Sequence, residues 1–202
     1  MRVLISGGGT GGHIFPALAA AQALSELDPA TEVLFVGRRG GMEEGIVPDH
    51  GLRLEGLDIT GIQPEMWKNW RLPYQLPASV ARAWRTIRRF DPAVVFGTGG
   101  YVVGAVGAAA LVARKPLFLM VPDAYPGRTI RALGPRAKTV FSAFESTAGW
   151  LPRARVVRSG TPLRREYWSL PERRVEQLTR LLVFGGSQGA RRLNTAVEEA
   201  LK

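Results

Sequence analysis

The run Val3-Leu4-Ile5-Ser6, ending in Gly7-Gly8-Gly9-Thr10-Gly11-Gly12 and continuing into His13-Ile14-Phe15-Pro16-Ala17-Leu18, constrains this chain more than any other stretch. Val3 to Ile5 form an apolar run too short for a helix, which predicts a parallel strand covered on both faces. Five glycines among residues 7–12 remove the Cβ atoms that bar positive φ and close backbone approach. Pro16 is expected in the first turn of the following helix, where its missing N–H costs little. The product is a row of unpaired backbone N–H groups at a helix N-terminus, suited to a phosphate or another anion. Thr10 adds a hydroxyl donor. His13, one of two histidines, falls at the loop-to-helix junction, either as a helix cap or as a group with chemistry. A tight βα turn without a ligand fits the same residues. A dinucleotide fingerprint threaded through Gly7, Gly9 and Gly12 does not separate the two readings.

The same pattern recurs along the chain. Glu32 to Val36 read as a strand ending at Gly37, with Arg38 and Arg39 at its C-terminal end. No acidic residue follows to hold a dinucleotide ribose, which counts against a standard NAD site. Residues 52–59 alternate as a strand. Pro92 to Phe96 form another, running into Gly97-Thr98-Gly99-Gly100-Tyr101 and an apolar helix over 102–113 that is too short to span a bilayer. Further strands are predicted at 116–120, 138–142 and 155–157, with Asp123-Ala124-Tyr125-Pro126-Gly127-Arg128 after the first of them. Periodicity fades after Gly160-Thr161-Pro162-Leu163-Arg164, and Leu181 to Ala190 then restart the strand, glycine loop and helix pattern. The expected architecture is α/β. A Rossmann-like, doubly wound parallel sheet covers 1–158, a linker 159–178, and the first βα unit of a second such domain 179–202, cut short at Lys202. The glycine loops at two strand ends predict one cleft with an anionic ligand between them, and Tyr101 as its wall or as core packing.

Charge narrows the partners. The formal net charge is +10, and four of the 27 cationic residues are Lys. Arg forks suit phosphates and carboxylates, so nucleic acid, an anionic membrane surface, a phosphorylated small molecule and plain solvation all remain open. No nucleic-acid-binding motif appears, and nothing beyond weak, sequence-blind binding is expected there. Trp67, Lys68, Trp70 and Arg71 lie in a proline-flanked stretch that suits a membrane–water interface, or packs on the domain's own core. The helix expected over 78–90 places Arg82, Arg85 and Arg89 on one face, which favours anionic lipid. Cysteine is absent, which excludes a disulfide framework and a thiolate metal site, and two distant histidines make a poor zinc site. A strand that begins within two residues of Met1 leaves no room for a signal peptide, and a cytosolic location is expected.

Taken together, Gly8 to Pro16, Gly99-Gly100-Tyr101-Val102, Gly160 to Arg164 and Gly185-Gly186-Ser187-Gln188-Gly189-Ala190-Arg191 resemble, in order and spacing, the family 28 N-acetylglucosaminyltransferases of peptidoglycan synthesis. The resemblance covers the whole chain. It implies the two-domain GT-B fold, of which this chain would hold the N-terminal acceptor domain and the start of the donor domain. It implies metal-independent, inverting transfer of GlcNAc from UDP-GlcNAc to the C4 hydroxyl of MurNAc in undecaprenyl-pyrophosphoryl-MurNAc-pentapeptide. No cofactor is implied, and the place of work is the cytoplasmic face of the cell membrane, held peripherally. By the same resemblance His13 would be the general base, and Thr10, Gly11, Gly12, Asp123, Arg164, Ser187 and Gln188 would bind the donor. Gly8, Gly9, Gly99, Gly100 and Tyr101 would hold the acceptor pyrophosphate. Trp67, Lys68, Trp70, Arg71, Arg82, Arg85 and Arg89 would contact the membrane. One departure stands out. Met120, Val121, Pro122 and Asp123 occupy the place of the family's usual His-Glu-Gln-Asn, which puts an anion where an amide meets the donor sugar. Two other readings therefore stay open: a non-catalytic acceptor-binding module serving a separate donor-binding chain, and a related GT-B enzyme with another lipid acceptor.

Overall fold

The computed structural model describes residues 1–61, 72–167, 182–185 and 190–201. Its backbone divides into two units, Met1–Trp168 and Ser169–Lys202. The expected positions Trp67, Lys68, Trp70, Arg71, Ser187 and Gln188 lie outside the described residues.

In the first unit the elements run β1 (Arg2–Ser6), α1 (Gly11–Leu27), β2 (Glu32–Arg38), α2 (Glu43–Asp49), β3 (Arg53–Leu57) and α3 (Leu72–Phe90). They continue as β4 (Val94–Gly97), α4 (Tyr101–Val112), β5 (Leu117–Val121), α5 (Arg128–Leu133), β6 (Thr139–Ser142) and β7 (Val156–Arg158). The strands form one parallel sheet in the order β3-β2-β1-β4-β5-β6-β7. This is the doubly wound arrangement read from the sequence. The winding reverses between β1 and β4, and a crevice must open beyond their C-terminal ends. Those are the two ends that carry the glycine loops.

Alternation along β1 explains its continuous apolar run. Leu4, with Leu34 and Val36 of β2, faces Ala83 and Ile87 of α3 and the α4 residues Val102 to Ala110. Val3, Ile5 and Phe35 face Ile14, Ala17, Leu18 and Ala21 of α1 and Val47 of α2. Both faces are covered, so Val3, Leu4 and Ile5 are all buried.

Two helix starts differ from expectation. α1 begins at Gly11, so Pro16 lies inside the helix rather than in its first turn. The proline withholds the N–H that would bond the Gly12 carbonyl, and Gly12 is exposed, where solvent can serve that carbonyl instead. α3 begins at Leu72 rather than near Ala78, with Pro77 inside it. Pro73 lies in the first turn, where N–H groups have no intrahelical partner, and Pro77 forfeits a bond at an exposed position. No helix among the described residues is long and apolar enough to cross a membrane.

In the second unit, α6 (Arg191–Ala200) forms where a helix was expected. The strand expected before it does not form over the described residues 182–185, and Leu182 and Phe184 are exposed. No other strand is present among the described residues of this unit to pair with it.

Candidate active site

The crevice at the switch point is built by two loops that lock onto each other. Thr98, fully buried at the end of β4, donates its backbone N–H to the Ser6 carbonyl at 3.0 Å. Its hydroxyl donates to the His13 carbonyl at 2.6 Å. Gly100 lies so close to the first loop that a Cβ there would come 2.3 Å from the Gly8 carbonyl oxygen. A Cβ on Gly99 would come 2.8 Å from Cε1 and Nδ1 of His13. The loops therefore leave no space between Gly8 and Gly100. An anion has no room at that point, and the surface left open to one is the rim the loops form together.

Part of that rim is already occupied by the chain's own carboxylate. Glu43, at the start of α2, is fully buried. Its Oε1 accepts from the Gly9 N–H at 3.2 Å and from the Arg38 N–H at 3.4 Å, while Oε2 is buried without a partner. Arg38 in turn donates to the Tyr101 hydroxyl at 3.2 Å. Gly8 is buried and the Gly9 donor is committed to Glu43, and neither lines the cavities described next. Glu43 escaped the sequence reading. Its only signal there is an acidic residue in a helical first turn just after Gly40-Gly41, which reads equally well as ordinary helix charge.

Two cavities flank the N-terminus of α1 and share Pro122. The first, of about 250 Å³, is lined by His13, Gly99, Gly100, Tyr101, Asp123 and Tyr125 among others. The second, of about 470 Å³, is lined by Gly11, Gly12, Phe15, Thr161 and Arg164 among others. Arg164 is held between two rings, with its guanidinium carbon 5.3 Å from the Phe15 centroid and 5.1 Å from that of Tyr167. It also donates to the Tyr167 hydroxyl at 2.8 Å. Thr10 is the N-cap of α1 in an extended conformation, makes no side-chain cap bond and lines neither cavity. The structure thus groups Gly11, Gly12 and Arg164 on one side, and His13, Gly99, Gly100 and Tyr101 on the other. Asp123, expected with the donor residues, falls on the His13 side.

His13 is not a helix cap. Its Nδ1 is buried without a hydrogen-bond partner. Burial pushes the imidazole below its ordinary value of 6.5, and the Asp123 carboxylate and the Thr98 backbone carbonyl pull partly the other way. The ring is therefore mostly neutral at pH 7, the state a proton acceptor requires. With two histidines in the chain, the His13 ring signal is readily assigned by NMR. It is expected to titrate below 6.5. Asp123→Asn removes an attraction for imidazolium and moves the titration further down. An unmoved or raised midpoint would show that the carboxylate does not act on the ring.

The basic face of α3 is not free in the way the sequence suggested. Arg82 bonds Asp58 at 3.0 Å and Arg89 pairs with Glu55, so both reach toward carboxylates on or just beyond the edge strand β3. Arg85 lines the groove between β3 and α3 that these pairs span. The aromatic–cation pairing expected around Trp67 has a described counterpart on α3. There Arg88 lies 5.8 Å over the ring of Trp84, a residue that is 40% exposed.

Residues 3–142 match the glycosyltransferase family 28 N-terminal domain. Over its whole length the chain is 41% identical to the UDP-N-acetylglucosamine–N-acetylmuramyl-(pentapeptide) pyrophosphoryl-undecaprenol N-acetylglucosamine transferase of Moorella thermoacetica. It is 37% identical to the enzyme of the same name from Lactococcus lactis. The chain spans 57% of the length of each. The crystal structure of Acinetobacter baumannii MurG superposes with a TM-score of 0.76 at 28% identity, covering 99% of this chain and 57% of that one. A UDP-GlcNAc 2-epimerase from Neisseria meningitidis, with a TM-score of 0.59 at 15% identity over 80% of this chain and 46% of its own, shares the fold alone.

Proposed function

This chain belongs to glycosyltransferase family 28, and we propose that it supplies the acceptor side of a GlcNAc transfer from UDP-GlcNAc to undecaprenyl-pyrophosphoryl-MurNAc-pentapeptide. The observation that carries the reading is the meeting of two unlike cavities at Pro122: one holds an imidazole whose Nδ1 has no hydrogen-bond partner, the other a ring-clamped guanidinium and an open helix N-terminus. A sugar hydroxyl in the first cavity loses its proton to His13 as its oxygen attacks C1 of the donor GlcNAc. The bond from C1 to the UDP oxygen breaks on the opposite face, so the configuration inverts. Arg164 and the N–H groups of Gly11 and Gly12 offset the charge gathering on the leaving diphosphate. The family resemblance assigns Ser187 and Gln188, which lie outside the described residues, to the donor as well. Gly99, Gly100 and Tyr101, with Arg38 behind Tyr101, form the rim for the acceptor pyrophosphate. Residues 1–158 act as the acceptor domain, 159–178 as the linker and 179–202 as the beginning of the donor domain.

The acceptor is a lipid, so the domain works on a membrane surface as a peripheral protein on the cytoplasmic face. Trp84 and Arg88 supply an aromatic and a cation for that contact, and Arg85 adds charge; the stretch Trp67 to Arg71, assigned to it by the family resemblance, lies outside the described residues. Co-sedimentation of the chain with anionic liposomes tests both parts of the proposal. Adding a lipid-linked pyrophosphoryl-MurNAc-pentapeptide is expected to increase binding, and the added fraction survives moderate salt. Binding that vanishes with salt and ignores the acceptor would leave only a basic surface and overturn the assignment.

A further inference from the structure

The outer wall of the His13 cavity carries an aromatic pair that the reaction as described does not use. Tyr125 follows β5 and lines the cavity while remaining 50% exposed. Trp150, from the turn after β6 and 52% exposed, meets it edge to face, with centroids 4.7 Å apart and planes at 77°. Arg131 of α5 brings its guanidinium carbon to 5.2 Å from the Tyr125 centroid. Two separate segments thus converge on one half-exposed ring. Neither Tyr125 nor Trp150 belongs to the buried clusters on the two faces of the sheet.

We infer that Tyr125, braced by Trp150 and Arg131, is the packing surface for the pyranose ring of the acceptor. This inference rests on the acceptor reading of the His13 cavity. A pyranose presents an apolar C–H surface and a rim of hydroxyls. An aromatic ring matches the first, and a carboxylate such as Asp123, on the same cavity, accepts from the second. A ring already fixed by neighbours loses little conformational freedom when a ligand arrives, so its contact area goes largely into affinity. The wall also orients the sugar: a ring lying flat against Tyr125 turns its hydroxyl edge toward the cavity that holds His13.

The test uses the 202-residue chain and a soluble, short-prenyl pyrophosphoryl-MurNAc-pentapeptide as probe, with calorimetry for Kd and saturation-transfer NMR for contact. Tyr125→Ala is expected to weaken the probe about tenfold, while Tyr125→Phe stays within about twofold. Trp150→Ala loses about threefold by freeing the ring. MurNAc ring protons receive saturation in the wild type and in Tyr125→Phe, and lose it in Tyr125→Ala. Thermal melts of the variants are expected to match the wild type, because the pair lies outside the core. Wild-type affinity and saturation in Tyr125→Ala would overturn this inference and leave the acceptor reading standing. Failure of the wild-type chain to bind the probe would overturn both. Stacking of a free uridine nucleotide on Tyr125, with the probe unaffected by the substitution, would reassign the wall to the donor base and overturn it as well.

Discussion

His13→Ala in a full-length family 28 enzyme carrying these residues is expected to lower kcat about a thousandfold, with its affinity for UDP-GlcNAc changed by less than about twofold. The split follows from where the side chain lies. The imidazole lines the cavity that also contains Asp123 and Tyr125, whereas the residues assigned to the donor diphosphate line the other. Removing the ring deletes a proton acceptor used only as the hydroxyl attacks, so transition-state stabilisation is lost and ground-state donor binding is kept. The pH profile supplies a second readout. Burial lowers the His13 pKa, and the base works only when neutral, so activity falls on acidification through a midpoint below 6.5. Asp123→Asn moves that limb to still lower pH. If His13→Ala raised the KM for donor and left kcat intact, the histidine would be a binding group and the base would have to be sought elsewhere.

The succession of strands along the chain and the doubly wound class were legible in the sequence because each βα unit announces itself locally: an apolar run, a glycine turn, a helix. The shared cleft followed, since the two strongest glycine loops close β1 and β4, which the structure shows as neighbours at the switch point. The contents of the crevice were less legible because they depend on which distant residues the sheet brings together. Nothing near Glu43 in the sequence indicates that its carboxylate lies under Gly9, 34 positions away, and takes a donor that a ligand was expected to use. Arg82 and Arg89 share a helix face by spacing, as read, but the same face meets Asp58 and Glu55 at the sheet edge. Spacing reveals a charged face and is silent on whether the next element neutralises it. Tyr125 and Trp150 belong to different connections after different strands, and only the adjacency of β5 and β6 makes them a pair. The family resemblance points Asp123 toward the donor sugar, and only its place just after β5 shows that it shares a cavity with His13.

The glycines divide the same way, and Gly100→Ala should show it by costing on the order of 3–5 kcal/mol, which lowers the melting temperature by about 10 °C or more. Gly100 has φ +83°, a left-handed conformation that strains any residue with a Cβ. The added methyl would also lie 2.3 Å from the Gly8 carbonyl oxygen and 3.2 Å from its carbon. Both obstacles are backbone, so no rotamer change relieves them. Gly8 is itself hemmed in by the Glu43 carboxyl: a Cβ on Gly8 would meet Oε1 at 1.8 Å. Gly12→Ala is the matching control. Its Cβ would find nothing closer than the Thr10 hydroxyl at 3.7 Å, so the protein should fold as well as the wild type. A loss of donor binding in Gly12→Ala without a loss of stability would mean that this glycine serves the ligand, while Gly100 serves the lock between the loops. Wild-type melting of Gly100→Ala would mean that the loops can part, and then the anion site first expected between them would become available again.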